Sequence, residues 1–132
     1  MTSNTTSPNG DLTLQVIAMP KDTNAAGDIY AGWLISQMDL AASAAARKVS
    51  KGRAATVAME RVEFLSPVSV GDVVSCYTEL LDTGRSSMKI GVQVYVTDSM
   101  GSNFSKVTEA IFVYVAINEM GGIRQLSQSD AG

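Results

Sequence analysis

One carboxylate stands where the sequence gives it no ordinary surroundings. Residues 27–46, GDIYAGWLISQMDLAASAAA, read from Trp33 onward as a helix of apolar and small side chains, and Asp39 is the only full charge in that run. Alanine is the best helix former, and a helix apolar nearly all round is normally buried. Burying an unpaired carboxylate is strongly unfavourable, so Asp39 needs partners or a purpose. Ser36, Asp39 and Ser43 recur at helical spacing. They form either a narrow stripe that meets bulk water or the wall of a cleft in which Asp39 is a base or nucleophile. Ahead of the helix, Gly27, Asp28 and Gly32 leave backbone that a ligand can approach closely. Free N–H groups and the helix dipole at such a start polarise a carbonyl oxygen. A carbonyl site with a carboxylate two turns away is the least equipment for acyl transfer.

The absences narrow the chemistry further. There is no histidine, which removes Ser-His and Cys-His catalysis and every His-based metal site, so no metal is expected. The single cysteine, Cys76, allows neither an intrachain disulfide nor a CxxC site. It lies in the strand-like run VVSCYTELL and reads as a small packed residue rather than a nucleophile. No Walker loop, GxGxxG or GxSxG is present. Carboxylates, backbone N–H groups, hydroxyls, Lys and Arg are what remain.

The 132 residues, with 45% hydrophobic and 17% charged content, make one compact domain. A net charge of -3 argues against nucleic acid as a partner. No apolar run reaches the roughly 20 residues of a membrane span, and the N-terminus has no basic start or apolar core, so a cytoplasmic protein is expected. Residues 1–10 are Ser/Thr/Asn-rich and expected to be disordered; residues 11–118 form the domain, and 119–132 a polar tail. A first strand is expected over residues 12–19, then a turn and a helix from Trp33 to about residues 48–50. Four further strands follow at 54–64, 73–81, 86–97 and 106–117, joined by hairpins, with Met88, Ile90, Val92, Val94 and Val96 alternating on one face. One helix and one antiparallel sheet make a two-layer α+β fold in which the sheet can curl around the helix.

The runs AMPKDTNAAGDIYAGWLISQMD, KGRAATVAMERVEFLSPVSVGDVVSCY, GRSSMKIGVQVYV and KVTEAIFVYVAI together resemble the YciA-like acyl-CoA thioesterases of the hotdog fold. The similarity spans residues 14–117. It implies a long central helix wrapped by an antiparallel sheet, subunits paired as homodimers with active sites at their interface, and a homohexamer built as a trimer of dimers. It also implies hydrolysis of acyl-CoA to free acid and CoA, with no cofactor beyond the CoA of the substrate. Asp39 stands at the position of the family's base or nucleophile, and Ala31 and Gly32 at the position that offers an N–H to the thioester oxygen. Asp28 falls where relatives place an Asn or Asp facing the site from the partner subunit, with Asn24 in the same loop and Ser36 beside Asp39. The turn Arg85, Ser86, Ser87 and the region near Lys106 match positions near the CoA nucleotide. Its phosphates need cations, for which Arg85, Lys89 and Lys106 are candidates, with Arg53 and Arg61 behind them. This sequence departs from the family pattern at Ala31, where a second glycine is usual, and at Ser66, where a basic residue is common.

Two alternatives use the same fold. One is a non-catalytic module that binds acyl-CoA without turnover, against which Asp39 beside Ser36, Asp28 and Gly32 argues. The other, acyl-CoA dehydration, commonly relies on a histidine that this chain lacks.

Overall fold

Period-two alternation becomes a single five-stranded antiparallel sheet in the computed structural model, which describes residues 7–126. Strands β1 (Asp11–Ile17), β2 (Ala54–Phe64), β3 (Val73–Thr83), β4 (Ser87–Thr97) and β5 (Phe104–Ala116) lie in the order β1-β3-β4-β5-β2. Only β3–β4 and β4–β5 are hairpins. The expected β2–β3 hairpin is instead a crossover, because β2 pairs with β5 while β3 pairs with β1. The helix α1 (Ala31–Ser50) lies across one face of the sheet. Of residues 1–10, expected to be disordered, 1–6 fall outside the described residues, as does the polar run SQSDAG at 127–132; within 7–10 the Asn9 N–H donates to the Gln93 side-chain oxygen at 2.8 Å.

The core forms where the two periodicities meet. Met88, Ile90, Val92, Val94 and Val96 of β4, with Phe112 and Tyr114 of β5, pack against Leu34, Met38, Ala41, Ala42 and Ala46 of α1. Each large side chain so buried contributes about 1.5–3 kcal/mol, and the alanines let the helix settle close to the sheet. The side of α1 away from the sheet stays open, and there Leu40 is 60% exposed. Gly91 lies under a side chain of the neighbouring strand: Leu81, bulged out of the β3–β4 ladder, has its Cδ1 3.2 Å from where a Cβ at Gly91 would stand.

Helix α1 stops because Lys51 takes the left-handed conformation (φ 57°) and its N–H returns to the Arg47 carbonyl. Beyond β5 the chain turns back, with Ile117 bridging to Ile123. Arg124 donates to the carbonyls of Ser50, Arg53 and Ile117, and Leu126 packs against the core. Contacts with the domain therefore continue past residue 118 to residue 126.

Candidate active site

Asp39 is half-buried, and its partners come from two adjacent strands. The Thr56 hydroxyl donates to Asp39 Oδ1 at 2.8 Å, and the Tyr114 hydroxyl reaches the same oxygen at 2.5 Å and the Asp39 main-chain oxygen at 2.9 Å. Thr56 and Tyr114 face each other across the β2–β5 ladder, so both side chains rise from one spot on the helix-facing side. Asp39 Oδ2 accepts nothing from the described residues. Burial, reinforced by the neighbouring Asp39 carboxylate, pushes the Tyr114 phenol well above its ordinary range, so it remains a donor.

A bulge shapes the wall beside this carboxylate. Thr56 pairs with Tyr114 and Met59 with Phe112, yet three steps along β2 match two along β5 because Val57 is the extra residue. In an unbroken ladder Thr56 and Met59 would point to opposite faces; the bulge brings both to the helix side. The result is an open cleft of about 400 Å³ whose wall includes Gly32, Ser36, Asp39, Thr56, Met59 and Phe112. Asp39, Ser36 and Thr56 supply its polar groups and Ile35, Val57, Met59 and Phe112 its apolar ones, a combination suited to a small polar reaction centre joined to a hydrocarbon chain.

The other expected residues separate into groups. Gly32 lies on the cleft wall, whereas Ala31 lines a second recess of about 370 Å³ with Tyr30, Leu34, Phe64 and Val68. The helix has no side-chain N-cap, and the N–H groups of Ala31 and Gly32 have no acceptor among the described residues. Ser36 shares the cleft, but its hydroxyl donates to the Trp33 carbonyl at 2.7 Å. Ser43 is not on the cleft wall, so only part of the expected stripe is used. Asn24 holds its loop together: its side-chain oxygen accepts from the N–H groups of Ala26 and Asp28, while Gly27 turns the chain at φ 86°. Asp28 is thereby held on an exposed turn and does not line the Asp39 cleft of its own subunit.

Among the expected cations, Lys89 lies 3.6 Å from Glu60 and Lys106 lies 2.8 Å from Glu109. The hydrogen bond between Lys106 and Glu109 raises the lysine and lowers the carboxyl from their ordinary values. Arg85 is exposed with no ion pair among the described residues, and Ser86 and Ser87 complete its turn through main-chain carbonyls bonded to Ala116 and Gly84. Cys76 is wholly buried, and burial pushes its thiol up to about 12, as expected of a packed residue. Thr56 and Tyr114 were not anticipated. A tyrosine inside the most apolar strand was nevertheless a signal, since a buried phenol must find a hydrogen-bond partner.

Residues 26–102 match the thioesterase superfamily. Among curated proteins, the acyl-CoA thioester hydrolase YciA of Salmonella typhimurium is 44% identical over 130 residues, which cover 96% of this chain and 97% of that protein. Among solved structures, a hexameric broad-specificity acyl-coenzyme A thioesterase superposes with a TM-score of 0.90 at 43% identity, covering 94% of this chain and 86% of that one. A hexameric thioesterase from Yersinia pestis gives a TM-score of 0.87 at 45% identity, covering 92% and 98%.

Proposed function

The chain belongs to the thioesterase superfamily, in the group of the YciA acyl-CoA thioester hydrolases, and we propose that it hydrolyses acyl-CoA thioesters to a free carboxylic acid and CoA, with Asp39 as general base. The observation that carries this reading is the Asp39 carboxylate on the wall of the cleft, oriented by Thr56 and Tyr114 through one oxygen while the other has no donor among the described residues. Water held by Oδ2 attacks the thioester carbon and passes a proton to the carboxylate. The tetrahedral oxyanion is held by a helix-start N–H, a contribution of about 3 kcal/mol for one such donor. The C–S bond then breaks, and the CoA sulfur takes the proton back from Asp39. General-base assistance is worth about 10² to 10⁴ in rate. The steps need no cofactor.

The family resemblance implies a site shared between two subunits, and the spacing along α1 supports that reading. Gly32 and Asp39 are seven residues apart on α1, about 10 Å along the axis at 1.5 Å per residue. A reacting carbon must come within about 3–3.5 Å of its attacking group, and the oxyanion must meet its donor at a similar distance. In the proposed site the Gly32 N–H that serves a given Asp39 comes from a second copy, as does the Asp28 turn that the resemblance places beside it. Exposed apolar surface supports this: Val57 at 56%, Met59 at 47% and Leu40 at 60% flank the cleft on the edge strand β2 and the open side of α1. An uncovered edge of this kind invites pairing. A homodimer supplies the complete site, and three dimers give the hexameric state named for the solved relatives.

Incubation with a panel of acyl-CoA esters, with the freed thiol followed spectroscopically, tests the reaction. Saturable thiol release from at least one chain length is expected. Tight binding of acyl-CoA with no thiol release would instead identify a binding module. Single turnover in water enriched in heavy oxygen tests the role of Asp39: the label enters the product acid when water attacks, and enters the protein when Asp39 attacks and water then opens the anhydride at the aspartyl carbon.

A further inference from the structure

We propose that Arg124 is a positioning residue for the Asp39 site: its guanidinium locks the register of β2 against β5, and with it the two hydroxyls that orient the carboxylate. This rests on the hydrolase reading above. The need for a lock lies in β2 itself. The strand stands at the edge of the sheet and is held within the subunit by β5 alone. Its opening run, AATVA from Ala54 to Ala58, has little bulk to key one register against another. Its ladder is irregular twice, between Thr56 and Ala58 and again between Glu60 and Glu63, where Arg61 takes the left-handed conformation (φ 54°). Such a strand specifies its register weakly from within, and a slip of one residue would turn Thr56 to the face away from Asp39.

The tie is made where β2 begins. Arg124 Nε donates to the Ile117 carbonyl at 2.9 Å, and Nη2 donates to the carbonyls of Ser50 at 3.1 Å and Arg53 at 3.4 Å. Ser50 is the last residue of α1, Arg53 directly precedes β2, and Ile117 directly follows β5. Those three elements carry Asp39, Thr56 and Tyr114, so one side chain gathers an end of each element from which the site is built. Main-chain bonds close the strand pair beside it: the Arg124 N–H donates to Ala116 and the Ile117 N–H to Arg53, both at 3.0 Å. In return, Arg53 Nη1 donates to the carbonyls of Asn118 and Glu119, which holds down the turn leading to Arg124. A planar, charged fork set on several fixed carbonyls has little freedom to move. Gly52 leaves room for it, because a Cβ there would stand 2.7 Å from Arg124 Nη2.

Between the tie and the site the ladder is unbroken. Ala54 faces Ala116, Ala55 faces Val115 and Thr56 faces Tyr114, and the first irregularity comes only after Thr56. Thr56 and Tyr114 each lie three residues from their anchored ends, about 10 Å at 3.3 Å per residue. A displacement of about 1 Å at either hydroxyl would carry it past hydrogen-bond distance from Asp39 Oδ1 and leave the carboxylate free to turn.

Steady-state kinetics on the assembled protein test the assignment, with Arg124→Ala made in the parent and in a Thr56→Val/Tyr114→Phe background. In the parent, kcat should fall about tenfold with KM within about twofold. In the background, where both hydroxyls are already gone, the same substitution should lower kcat by under about twofold. A merely structural role would give the same loss in both settings. Gly52→Ala crowds the guanidinium without removing it; it should reproduce the fall and add nothing once Arg124 is replaced. Parental kcat in folded Arg124→Ala would overturn the proposal, and parental kcat in Gly52→Ala decides the matter if Arg124→Ala does not fold. Equal losses in parent and background, or a rise in KM with kcat unchanged, would overturn it too. Amide hydrogen exchange needs no substrate: over residues 53–57 it should speed about tenfold or more in Arg124→Ala while the β3–β4 hairpin keeps its parental rates. Unchanged exchange over residues 53–57 would overturn the register lock. A parent that hydrolyses no acyl-CoA, yet shows the faster exchange on substitution, would refute the hydrolase reading and leave the lock standing.

Discussion

Tyr114→Phe removes one oxygen atom and nothing else from the support of Asp39. The ring stays, so its stacking with Phe112 at a centroid separation of 6.5 Å and its core packing persist. What is lost is the donor to Asp39 Oδ1 and to the Asp39 main-chain oxygen. A hydrogen bond to a charged acceptor is worth about 1.5–3 kcal/mol. Thr56 still donates to Oδ1, and Asp39 is only half-buried, so water recovers part of that. We expect a net loss near 1 kcal/mol, seen as about 4 °C in Tm. The catalytic effect should be larger in proportion, because the carboxylate is no longer held on both sides: kcat should fall about tenfold with KM within about twofold. Thr56→Val should behave similarly, and the double variant should lose more than the two effects added, since either donor alone orients the same oxygen. The phenol titrates above its unfolded value of 10.0, so its contribution is intact below that pH and is lost only as pH rises further. No break from Tyr114 should appear in the rate profile through the neutral range. Parental kcat in folded Tyr114→Phe would refute the positioning role of this hydroxyl.

Three further outcomes follow from the same geometry. Met59→Glu places a charge on the exposed edge strand beside the cleft; sedimentation should show dissociation of the assembly and activity should fall with it, whereas an intact, active assembly would mean that β2 is not the joining edge. Arg124→Ala leaves the end of α1 without its guanidinium cap and should lower stability by about 1–2 kcal/mol in a denaturant titration. Cys76 should resist thiol reagents in the native state at mildly alkaline pH; its folded value near 12 exceeds the unfolded 9.0, so the stability it confers is full below 9.0 and declines between those two values.

The layers of the fold were legible because alternation and helical spacing are local properties. The β4 pattern of Met88 to Val96 lies on the helix face as its period requires, and α1 ends near the Lys51-Gly52 turn. The pairing of β2 with β5 was not legible, because strand order depends on contacts between distant segments, and a hairpin was expected in its place. Asp39 could be singled out as a charge on an otherwise apolar helix. Its two donors come from strands that meet only in the tertiary fold, and the cleft wall beyond them depends on a β-bulge at Val57, a one-residue register shift that leaves no mark in a run such as AATVAMERVEF. The role of Arg124 was hidden for another reason: it sits in a polar stretch that only a tertiary contact distinguishes from a free tail.

Asp39→Asn tests the central claim most directly, measured as turnover and thermal melting on one preparation. The amide keeps the size of the side chain and an acceptor for Thr56 and Tyr114, but it cannot take a proton from water. With Asp39 as base, kcat should fall by about 10² or more with little change in KM, while the assembly folds and melts close to the parent. Near-parental turnover by a well-folded Asp39→Asn protein would contradict the account and move the search for the base to Asp28.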